Sequence, residues 1–440
     1  MRATLPLLRN YTPAAVLLRR APVLPDLSQD ALLHAAREAA RCLPEGQPVN
    51  LCEDRGLFLL GFVAALLRGQ TTLLPPGRAP GVVADIVRAH PGSYLLCDGD
   101  FPDAGAPRHQ IGWPAAGGAA EARAPEIPQD HAAAIVFTSG STGGPQPHVK
   151  SWRSLYLTAG LCAERFLGRL DSGVSIVATV PPQHMYSLET SILLALAGGC
   201  STHASRPLLP EDVRAALAAV PAPRLLVTTP VHLRALAASG VRFSPLQLVI
   251  SATAPLSAEL ARAAEDALGA PVHEIYGCTE AGSMCTRRTL DGPRWRPYPE
   301  LRMAHRDGMT HVAGPHLDAP VATPDVIESH ADGTITLLGR TADMVKIAGK
   351  RASLTELTGK LLGVPGVQDG VVFLPGEETP RARLAALVVA PGLAEAAILD
   401  ALARQMDPVF LPRPLKKVDR LPRNALGKLP REQLLALLRA

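Results

Sequence analysis

Short apolar runs alternate with longer, helix-like runs between residues 28 and 268. The longer runs predict helices at residues 29–43, 53–67, 151–167, 210–220, 231–238 and 257–268. The shorter runs are rich in β-branched residues and predict strands at residues 71–74, 93–97, 135–138, 174–180, 224–228, 246–251 and 272–275. Strands that alternate with helices of roughly 10–15 residues indicate an α/β fold with parallel sheets flanked by helices.

The pattern changes after residue 280. Residues 310–313, 326–329 and 334–338 read as short strands, and Asp332-Gly333 is a hairpin turn signal, so residues 302–340 predict a small antiparallel sheet or barrel. The last hundred residues carry their own elements, at 354–362, 367–373, 383–389, 393–405 and 416–421. A chain of 440 residues is too long for one ordinary core. We therefore expect a large N-terminal domain over residues 1–340 and a small α+β C-terminal domain over residues 341–440.

Composition narrows the class of protein. Hydrophobic residues make up 47% of the chain and aromatic residues only 4%, so its cores must be largely aliphatic. The formal charge of +4 is small for this length and the arginines are scattered, which gives no reason to expect nucleic acid or an anionic membrane as partner.

The cysteines and the apolar runs bear on location. Seven widely spread cysteines form no C-x-x-C pair, which fits a reducing compartment better than a disulfide framework. The longest uncharged apolar helix candidate, residues 56–67, is well short of the roughly 20 residues that a bilayer span needs. The N-terminus shows no apolar core of a signal peptide. These features predict a cytoplasmic protein.

The first candidate site is a hydroxyl- and glycine-rich loop that follows the predicted strand 135–138. It reads Thr138-Ser139-Gly140-Ser141-Thr142-Gly143. Such a loop turns several backbone N–H groups and hydroxyls toward one small volume, which suits a polyphosphate, and glycine lets the backbone approach the anion. The alternative is a polar surface turn.

The second candidate is Tyr276-Gly277-Cys278-Thr279-Glu280, directly after the strand 272–275. It places a hydroxyl and a carboxylate at the carboxyl edge of a parallel sheet, where ligands bind in α/β proteins. A carboxylate beside bound phosphates suits Mg²⁺, which takes one or two carboxylates plus phosphate oxygens. The alternative is a helix N-terminus, with Thr279 as its cap and Glu280 in its first turn.

Two further motifs lie nearer the C-terminus. Gly339-Arg340, with Asp325 upstream, offers a carboxylate and a guanidinium of the kind that hold a ribose. The segment Pro422 to Arg431 places Gly427 before Lys428 in a proline-bounded loop, so that a mobile segment ends in a long cationic arm. For each of these charges alone, a solvated surface position is the alternative.

Taken in this order, the four motifs resemble those of the adenylate-forming superfamily, which includes acyl- and aryl-CoA synthetases, peptide-synthetase adenylation domains and luciferases. Two segments between them agree as well: residues 251–256 look like the family's adenine-binding strand and turn, and residues 181–186 like the segment with its acyl-pocket histidine. The likeness covers nearly the whole chain from about residue 30. The defining loops of P-loop kinases, Rossmann dehydrogenases and serine hydrolases are absent from the sequence.

The resemblance implies two half-reactions. A carboxylate attacks the α-phosphorus of Mg·ATP to give an acyl-adenylate and pyrophosphate, and a pantetheine thiol of CoA or an acyl carrier protein then displaces AMP. Catalytic roles are implied for Lys428, Glu280 and Thr279, with Glu280 holding Mg²⁺. Nucleotide contacts are implied for Thr138, Ser139, Gly140, Ser141, Thr142, Gly143, Ala252, Thr253, Ala254, Tyr276, Gly277, Asp325 and Arg340.

In the family the small C-terminal domain rotates between the half-reactions and brings in a loop that lines the pantetheine tunnel. By position that loop holds Gly349, Lys350 and Arg351. Two departures stand out: Gln146 occupies the place of the family's customary phosphate-loop lysine, and Ala342 stands at the hinge. Lys150 would replace the missing lysine if Pro147-His148 bends the chain back toward the loop.

Three features bear on the identity of the acid: residues 181–186, Ala342 and residues 348–354. Together they look closest to the corresponding segments of ligases from aryl-polyene, xanthomonadin-like pigment clusters. Those are thought to load an aryl acid, so a hydroxybenzoate-like substrate is expected against His184, Tyr186 and Ser251. A medium-chain fatty acid is the enzymatic alternative, and a degenerate homologue that binds nucleotide or a carrier protein without turnover is the other. His184 as an ordinary buried histidine also stays open.

Overall fold

Two large β-sheets with helices between and outside them make up most of the first 340 residues. The computed structural model describes residues 3–20, 22–114, 123–139, 145–168, 173–340, 343–347, 350–376, 383–423 and 429–440. Its strands are β1 (Thr4–Pro6), β2 (Val16–Arg19), β3 (Leu27–Ser28), β4 (Pro48–Asn50), β5 (Thr72–Leu74), β6 (Tyr94–Cys97), β7 (Arg108–Gln110), β8 (Glu126–Pro128), β9 (Ala132–Ser139), β10 (Pro145–Ser151), β11 (Ser175–Ala178), β12 (Ser201–His203), β13 (Arg224–Thr228), β14 (Leu248–Ser251), β15 (Val272–Cys278), β16 (Gly282–Arg288), β17 (Arg294–Pro297), β18 (Arg302–Arg306), β19 (Met309–Ala313), β20 (Val321–Thr323), β21 (Asp325–Ser329), β22 (Ile335–Arg340), β23 (Met344–Ile347), β24 (Lys350–Ser353), β25 (Asp369–Phe373), β26 (Ala385–Val389) and β27 (Leu415–Lys417).

The helices fall into two groups, one in each part of the chain. They are α1 (Gln29–Cys42), α2 (Arg55–Leu67), α3 (Pro80–Ala89), α4 (Trp152–Leu167), α5 (Met185–Ser187), α6 (Leu194–Gly198), α7 (Pro210–Ala218), α8 (Pro230–Ala238), α9 (Ala258–Leu268), α10 (Leu354–Leu362), α11 (Glu395–Ala403) and α12 (Arg431–Arg439). A π-helical turn, Leu188–Leu193, joins α5 to α6. Most of the predicted helices and strands are thus confirmed to within a few residues.

The smaller of the two large sheets has the order β10-β9-β5-β4-β6-β7, and all its neighbours are parallel except β10 against β9. The larger has the order β21-β22-β17-β16-β15-β14-β13-β11-β12-β2-β3. Its centre, from β2 to β15, is parallel, and antiparallel strands flank it on both sides. The carboxyl ends of the parallel strands in each sheet therefore meet at one edge.

Alternating residues of each strand face different helical layers. On β6, Leu96 packs with α2 and the π-helical turn while Leu95 packs with α3. On β14, Ile250 packs with α4 while Val249 packs with α7, α8 and α9. The arrangement is five layers, with α2, α4 and the helix over residues 185–198 between the sheets. This position explains why α2 is apolar on every side, since a helix buried all round carries no polar face.

Residues 302–340 differ from expectation in one respect. The strands β18, β19 and β20 form the predicted small antiparallel sheet, but β21 and β22 join the edge of the larger sheet through β17. The predicted turn is confirmed: Gly333 has φ of +78°, and the hairpin of β21 and β22 closes around it.

The remaining residues have cores of their own. One core joins α10 and α11 to β23–β27, and a second packs α12 against β25 and β26. Gly339 lies at the junction with φ of +126°, and a Cβ there would stand 2.0 Å from the Ser353 hydroxyl, so only glycine fits. Division into two domains after Arg340 stays a prediction. Across the described residues, no helix combines the length and the apolarity that a bilayer crossing requires.

Candidate active site

The phosphate-loop candidate joins β9 to β10, two strands that pair as an antiparallel hairpin. Thr138 lies near the carboxyl end of β9 and Ser139 is its last residue. Gly140, Ser141, Thr142 and Gly143 lie outside the described residues. Because β9 is a parallel strand, the loop leaves the sheet at the edge where ligands bind.

Thr279 and Glu280 lie in a tight turn between β15 and β16, an antiparallel hairpin in which Cys278 pairs with Gly282. The alternative of a helix N-terminus at Thr279 is therefore wrong, since β16 and not a helix follows the turn. The Glu280 side chain is exposed at the sheet edge, with 46% of its surface accessible.

His148 connects the two hairpins. Its Nε2 lies 3.1 Å from the Thr138 hydroxyl and 3.8 Å from a carboxylate oxygen of Glu280. Burial lowers the pKa of His148 from its ordinary value, and the nearby Glu280 carboxylate opposes that shift. The structure thus brings Thr138, the first residue of the predicted phosphate loop, close to the predicted metal-binding carboxylate through His148.

The backbone of the Glu280 turn is held from inside the protein. Lys150 Nζ donates to the main-chain carbonyl of Glu280 at 2.7 Å. His316 Nε2 lies 2.9 Å from the carbonyl of Ala281, and the Cys278 thiol accepts from the Ala281 N–H at 3.4 Å. Burial is the main cause that lowers the pKa of both Lys150 and His316.

A buried carboxylate, Glu189, lies behind the turn. It belongs to the π-helical turn, is 1% exposed, and accepts from the N–H and the hydroxyl of Ser283. Burial raises its pKa to about 7, although the Ser283 hydrogen bonds and Lys150 act in the opposite direction. Gly282 has φ of +72°, and a Cβ there would stand 2.6 Å from Glu189 Oε1.

Tyr276 and Asp325 come together as the predicted nucleotide contacts. The Tyr276 hydroxyl donates to Asp325 Oδ2 at 2.8 Å, and the ring stands edge-on to Trp295. Asp325 is buried and begins β21, where it pairs with Arg340 of β22 in the strand register. Asp325 is therefore paired with the backbone of Arg340 and bonded to Tyr276, which precedes Gly277 on β15.

The adenine-binding candidates follow β14. Ser251 ends that strand, and its hydroxyl is fully buried with no hydrogen-bond partner among the described residues. Ala252 is buried, and the next residue, Thr253, has φ of +82°. A β-branched residue in this region is strained, which is typical of turns held for function. Ala254 completes the turn.

The acid-pocket candidates lie at the same edge. His184 immediately precedes α5, and its carbonyl accepts from the Leu188 N–H at 2.8 Å. The Tyr186 hydroxyl lies 3.0 Å from the carbonyl of Thr228 and 2.9 Å from that of Ile250, so its ring is fixed across the ends of β13 and β14.

A small polar cluster completes this edge. The Thr179 hydroxyl lies 3.0 Å from the Thr228 hydroxyl and 3.0 Å from Nδ1 of His232, and the Thr229 hydroxyl lies 3.1 Å from the same nitrogen. Burial lowers the pKa of His232, which favours the neutral ring.

The structure does not bring Lys350 to these groups, since its ammonium pairs with Asp407 inside the C-terminal part. Arg351 lies on β24 beside it, and Gly349, Ala342 and the catalytic candidate Lys428 lie outside the described residues. Just before Lys428, Arg423 makes a two-point contact with Asp369, at 2.8 Å and 2.7 Å. Asp369 also lies 3.6 Å from Arg234 on α8, which ties the C-terminal part to the large one.

The site fits Mg²⁺ with bound phosphates. Glu280 offers one exposed carboxylate 3.8 Å from His148, which in turn contacts Thr138. Mg²⁺ is commonly held by one or two carboxylates while phosphate oxygens and waters complete its shell. Within the described ranges, no cluster of three or more histidine, cysteine or acidic side chains offers an all-protein site.

Sequence reasoning missed Glu189, His148, Ser283 and His316. One signal was available for Glu189: it is the only charged residue between Asp171 and Arg206. A single carboxylate in an apolar stretch of that length is expected to be paired in the interior. The other three carry no local signal, because only the packing of separate hairpins brings them to the turn.

The five-layer fold is that of adenylate-forming enzymes. The O-succinylbenzoate coenzyme A synthetase of Bacillus subtilis, solved in complex with AMP, superposes with a TM-score of 0.82 over 98% of this chain and 98% of that one, at 18% identity. The same synthetase has been solved with ATP and a magnesium ion.

Sequence comparison goes further than the fold. Residues 85–303 match the model of the AMP-binding enzyme family. The 4-coumarate–CoA ligase of Halorhodospira halophila is 31% identical over 317 residues, which cover 68% of this chain and 75% of that protein. The isonitrile lipopeptide synthase of Streptomyces coeruleorubidus is 28% identical over 457 residues, covering 92% of this chain and 31% of that protein. The chain belongs to the AMP-binding enzymes and is an AMP-forming ligase that adenylates a carboxylic acid and forms a thioester.

Proposed function

We propose that the acid is an aryl acid of the hydroxybenzoate type and that the acceptor is the pantetheine thiol of an acyl carrier protein or of CoA. The observation that carries the choice of acid is the buried hydroxyl of Ser251, which has no partner among the described residues. Buried hydroxyls are hydrogen-bonded as a rule, so a polar group of a bound substrate is the natural partner. An alkyl chain would leave this hydroxyl unpaired.

The shape of the same edge supports a flat ring. Tyr186 is held across the ends of two strands by its hydroxyl, so its ring forms a rigid wall. Ser251 lies opposite Thr228 in the strand register. The hydroxyl of Thr228 in turn forms a hydrogen bond with the hydroxyl of Thr179. A rigid aromatic wall beside hydroxyl groups suits an aromatic acid that carries a hydroxyl. The 4-coumarate–CoA ligase relative acts by name on an aromatic acid, and the likeness to aryl-polyene pigment ligases points to the same class.

The phosphates of ATP would lie against the loop after Thr138, where backbone N–H groups and hydroxyls surround an anion. Glu280 would hold Mg²⁺, which neutralises phosphate charge when bound. Asp325, fixed by Tyr276, would accept from the ribose hydroxyls, and Arg340 pairs with it in the strand register.

The first half-reaction must bring two anions into contact. We assign to Lys428 the task of stabilising the negative charge that develops between the acid and the α-phosphate, because a fixed cation in a closed site is worth most in the transition state. Arg423, only five residues before Lys428, is anchored on Asp369, so the segment that carries the lysine starts from a fixed point.

The second half-reaction transfers the acyl group to a thiol. Gly349, Lys350 and Arg351 are assigned to the pantetheine tunnel after rotation of the C-terminal part, and Lys350 would have to leave Asp407 if it is to line that tunnel. A carrier-protein acceptor is supported by the match of 92% of this chain to a segment of a lipopeptide synthase.

Pyrophosphate release with a panel of acids tests the proposal. We expect saturable, ATP-dependent release with hydroxybenzoates, trapping of the adenylate by hydroxylamine, and no saturation with octanoate. The variant Ser251→Ala should raise the KM of the hydroxylated acid while leaving that of ATP unchanged.

Two results would count against the proposal. Saturation with octanoate alone would assign the pocket to medium-chain fatty acids. Failure of every acid in the panel to release pyrophosphate would indicate a protein that binds nucleotide or a carrier protein without turnover. Thioester formation with CoA and with a pantetheinylated carrier protein, run side by side, identifies the acceptor.

A further inference from the structure

Lys150 is buried, and burying a charged side chain costs free energy. Its side chain is 4% exposed, on β10, immediately before Ser151 caps α4. A buried ammonium is tolerated only where it is paired and hydrogen-bonded. The bond that Lys150 makes is to the main-chain carbonyl of Glu280, at 2.7 Å.

This lysine does not approach the phosphate loop along its strand. β10 pairs in unbroken register with β9 from Pro145 to Lys150, so Pro147 and His148 do not bend the chain back. Lys150 stands opposite Ala134, four residues from Thr138, or about 14 Å along the strand at ~3.4 Å per residue. Its contact with the site is instead the hydrogen bond to the main-chain carbonyl of Glu280.

The buried carboxylate of Glu189 supplies the opposite charge. The charge of Glu189 raises the pKa of Lys150 against the effect of burial, and the charge of Lys150 lowers the pKa of Glu189. Glu189 in turn accepts from the N–H and the hydroxyl of Ser283. Lys150 therefore holds the turn at Glu280, and Glu189 holds it at Ser283, three residues later.

We propose that Lys150 is a positioning residue that, together with the buried Glu189, fixes the hairpin bearing Glu280 and thereby places the metal-binding carboxylate near Thr138. The inference rests on the role proposed above for Glu280. It gives Lys150 a task different from that of the family's customary phosphate-loop lysine, whose place the uncharged Gln146 occupies.

The same contacts join the two substrate sites. Glu189 lies three residues after Tyr186 in one continuous helix, so the segment that forms the wall of the acid pocket also holds the nucleotide-binding turn. Glycine is required at position 282, where the hairpin approaches this helix, because any Cβ there would stand 2.6 Å from the Glu189 carboxylate. A substitution of Lys150 should therefore weaken metal-dependent nucleotide binding before it affects other functions.

Binding of ATP without acid, measured as a function of Mg²⁺ concentration, tests this role without turnover. Lys150→Met keeps the length of the side chain and removes its charge and hydrogen bond. We expect it to raise the Mg²⁺ concentration for half-maximal ATP binding roughly tenfold, the effect of losing one hydrogen bond to a charged group. Binding of AMP, which needs no metal, should stay within about twofold of wild type.

The control is Lys360→Met, which removes a lysine that pairs with Glu356 on the surface of α10 and should change neither measurement. The double variant Lys150→Met with Glu189→Gln removes both buried charges, and it should fold and show the same raised Mg²⁺ requirement.

Three results would overturn the inference: an unchanged Mg²⁺ requirement in Lys150→Met, an equal loss of AMP binding, or a double variant that does not fold, which would make Lys150 a general structural residue. If wild type itself bound no ATP in the presence of Mg²⁺, the proposed role of Glu280 would fail instead, and the two failures are thus distinguishable.

Discussion

The hydroxyl of Tyr276 donates to the carboxylate of Asp325 at 2.8 Å, across two strands that are not neighbours in the sheet. Desolvation and the adjacent carboxylate both raise the pKa of Tyr276, so the phenol keeps its proton and acts as a donor throughout the physiological range. The bond orients Asp325 before any nucleotide arrives. This matters because a carboxylate that is already aligned loses less freedom on binding a ribose.

Tyr276→Phe keeps the ring and removes only that donor. We expect the Kd for AMP to rise roughly three- to tenfold, the ~1 kcal/mol of one hydrogen bond, with little change in the melting temperature. Calorimetric titration measures it. Tyr298→Phe is the matched control, since that buried hydroxyl contacts the Cys162 thiol at 3.6 Å. Equal losses in both variants would mean that the Tyr276 hydroxyl serves general packing.

Gly282→Ala should destabilise the fold strongly. The residue has φ of +72°, and the added methyl group would meet the Glu189 carboxylate at 2.6 Å. Left-handed backbone costs a residue other than glycine about 1–2 kcal/mol, and overpacking adds roughly 1–3 kcal/mol. Denaturant unfolding gives the free energy directly.

Gly269→Ala provides the comparison for this prediction. Its φ of +64° is similar, but a Cβ there meets nothing within 4 Å. It should show only the backbone cost, of about 1 kcal/mol. The difference between the two variants measures the contact with Glu189, and a difference near zero would show that the carboxylate moves aside.

Much of the fold follows from local patterns. The helix over residues 257–268 is amphipathic, and the strand at residues 224–228 is a short apolar run with β-branched residues. Each can therefore be recognised from its own sequence, without knowledge of what it packs against. The helix over residues 185–198 was missed because it is buried between the sheets, so that its few polar side chains, Glu189 among them, do not mark a solvent-facing side. β10 was missed because it contains two prolines, Pro145 and Pro147, and only its pairing with β9 defines it as a strand.

The site divides in the same way. Thr138 lies near the carboxyl end of β9 and Glu280 follows β15, so the place of each at a sheet edge is predictable from chain order and strand direction. Lys150 and Glu189 are 39 positions apart and meet at a turn that belongs to neither. No spacing rule links them, since Lys150 bonds to the carbonyl of Glu280 and Glu189 accepts from Ser283, and the packing of separate elements decides both contacts.

The stability of the protein should depend on the titration of Glu189. Burial raises the pKa of this carboxyl to about 7 from the ordinary 4.5, so between those values the folded state binds a proton that the unfolded state does not. Stability contributed by this group is therefore complete below pH 4.5 and is lost as the pH rises through about 7.

Glu189→Gln removes that titration. Over the same range the wild-type free energy of unfolding should fall relative to the variant by up to ~1.4 kcal/mol per pH unit. Denaturant titrations at several pH values measure this difference, and Glu164→Gln, a change on the exposed face of α4, should run parallel to wild type. Parallel curves for Glu189→Gln as well would show that Lys150 keeps the carboxylate ionised throughout.

Lys428→Ala tests the assignment of the transition-state cation. The lysine is proposed to act chiefly when charge develops between the acid and the α-phosphate, so its loss should lower adenylation by roughly 10²–10³-fold while ATP binding persists. Pyrophosphate release under single-turnover conditions separates the two effects. Lys417→Ala is the control, since that ammonium bonds to the Leu393 carbonyl at 2.7 Å, within the C-terminal part. An adenylation rate within about threefold of wild type, or ~0.6 kcal/mol, would remove Lys428 from the mechanism, because no transition-state contact is that weak.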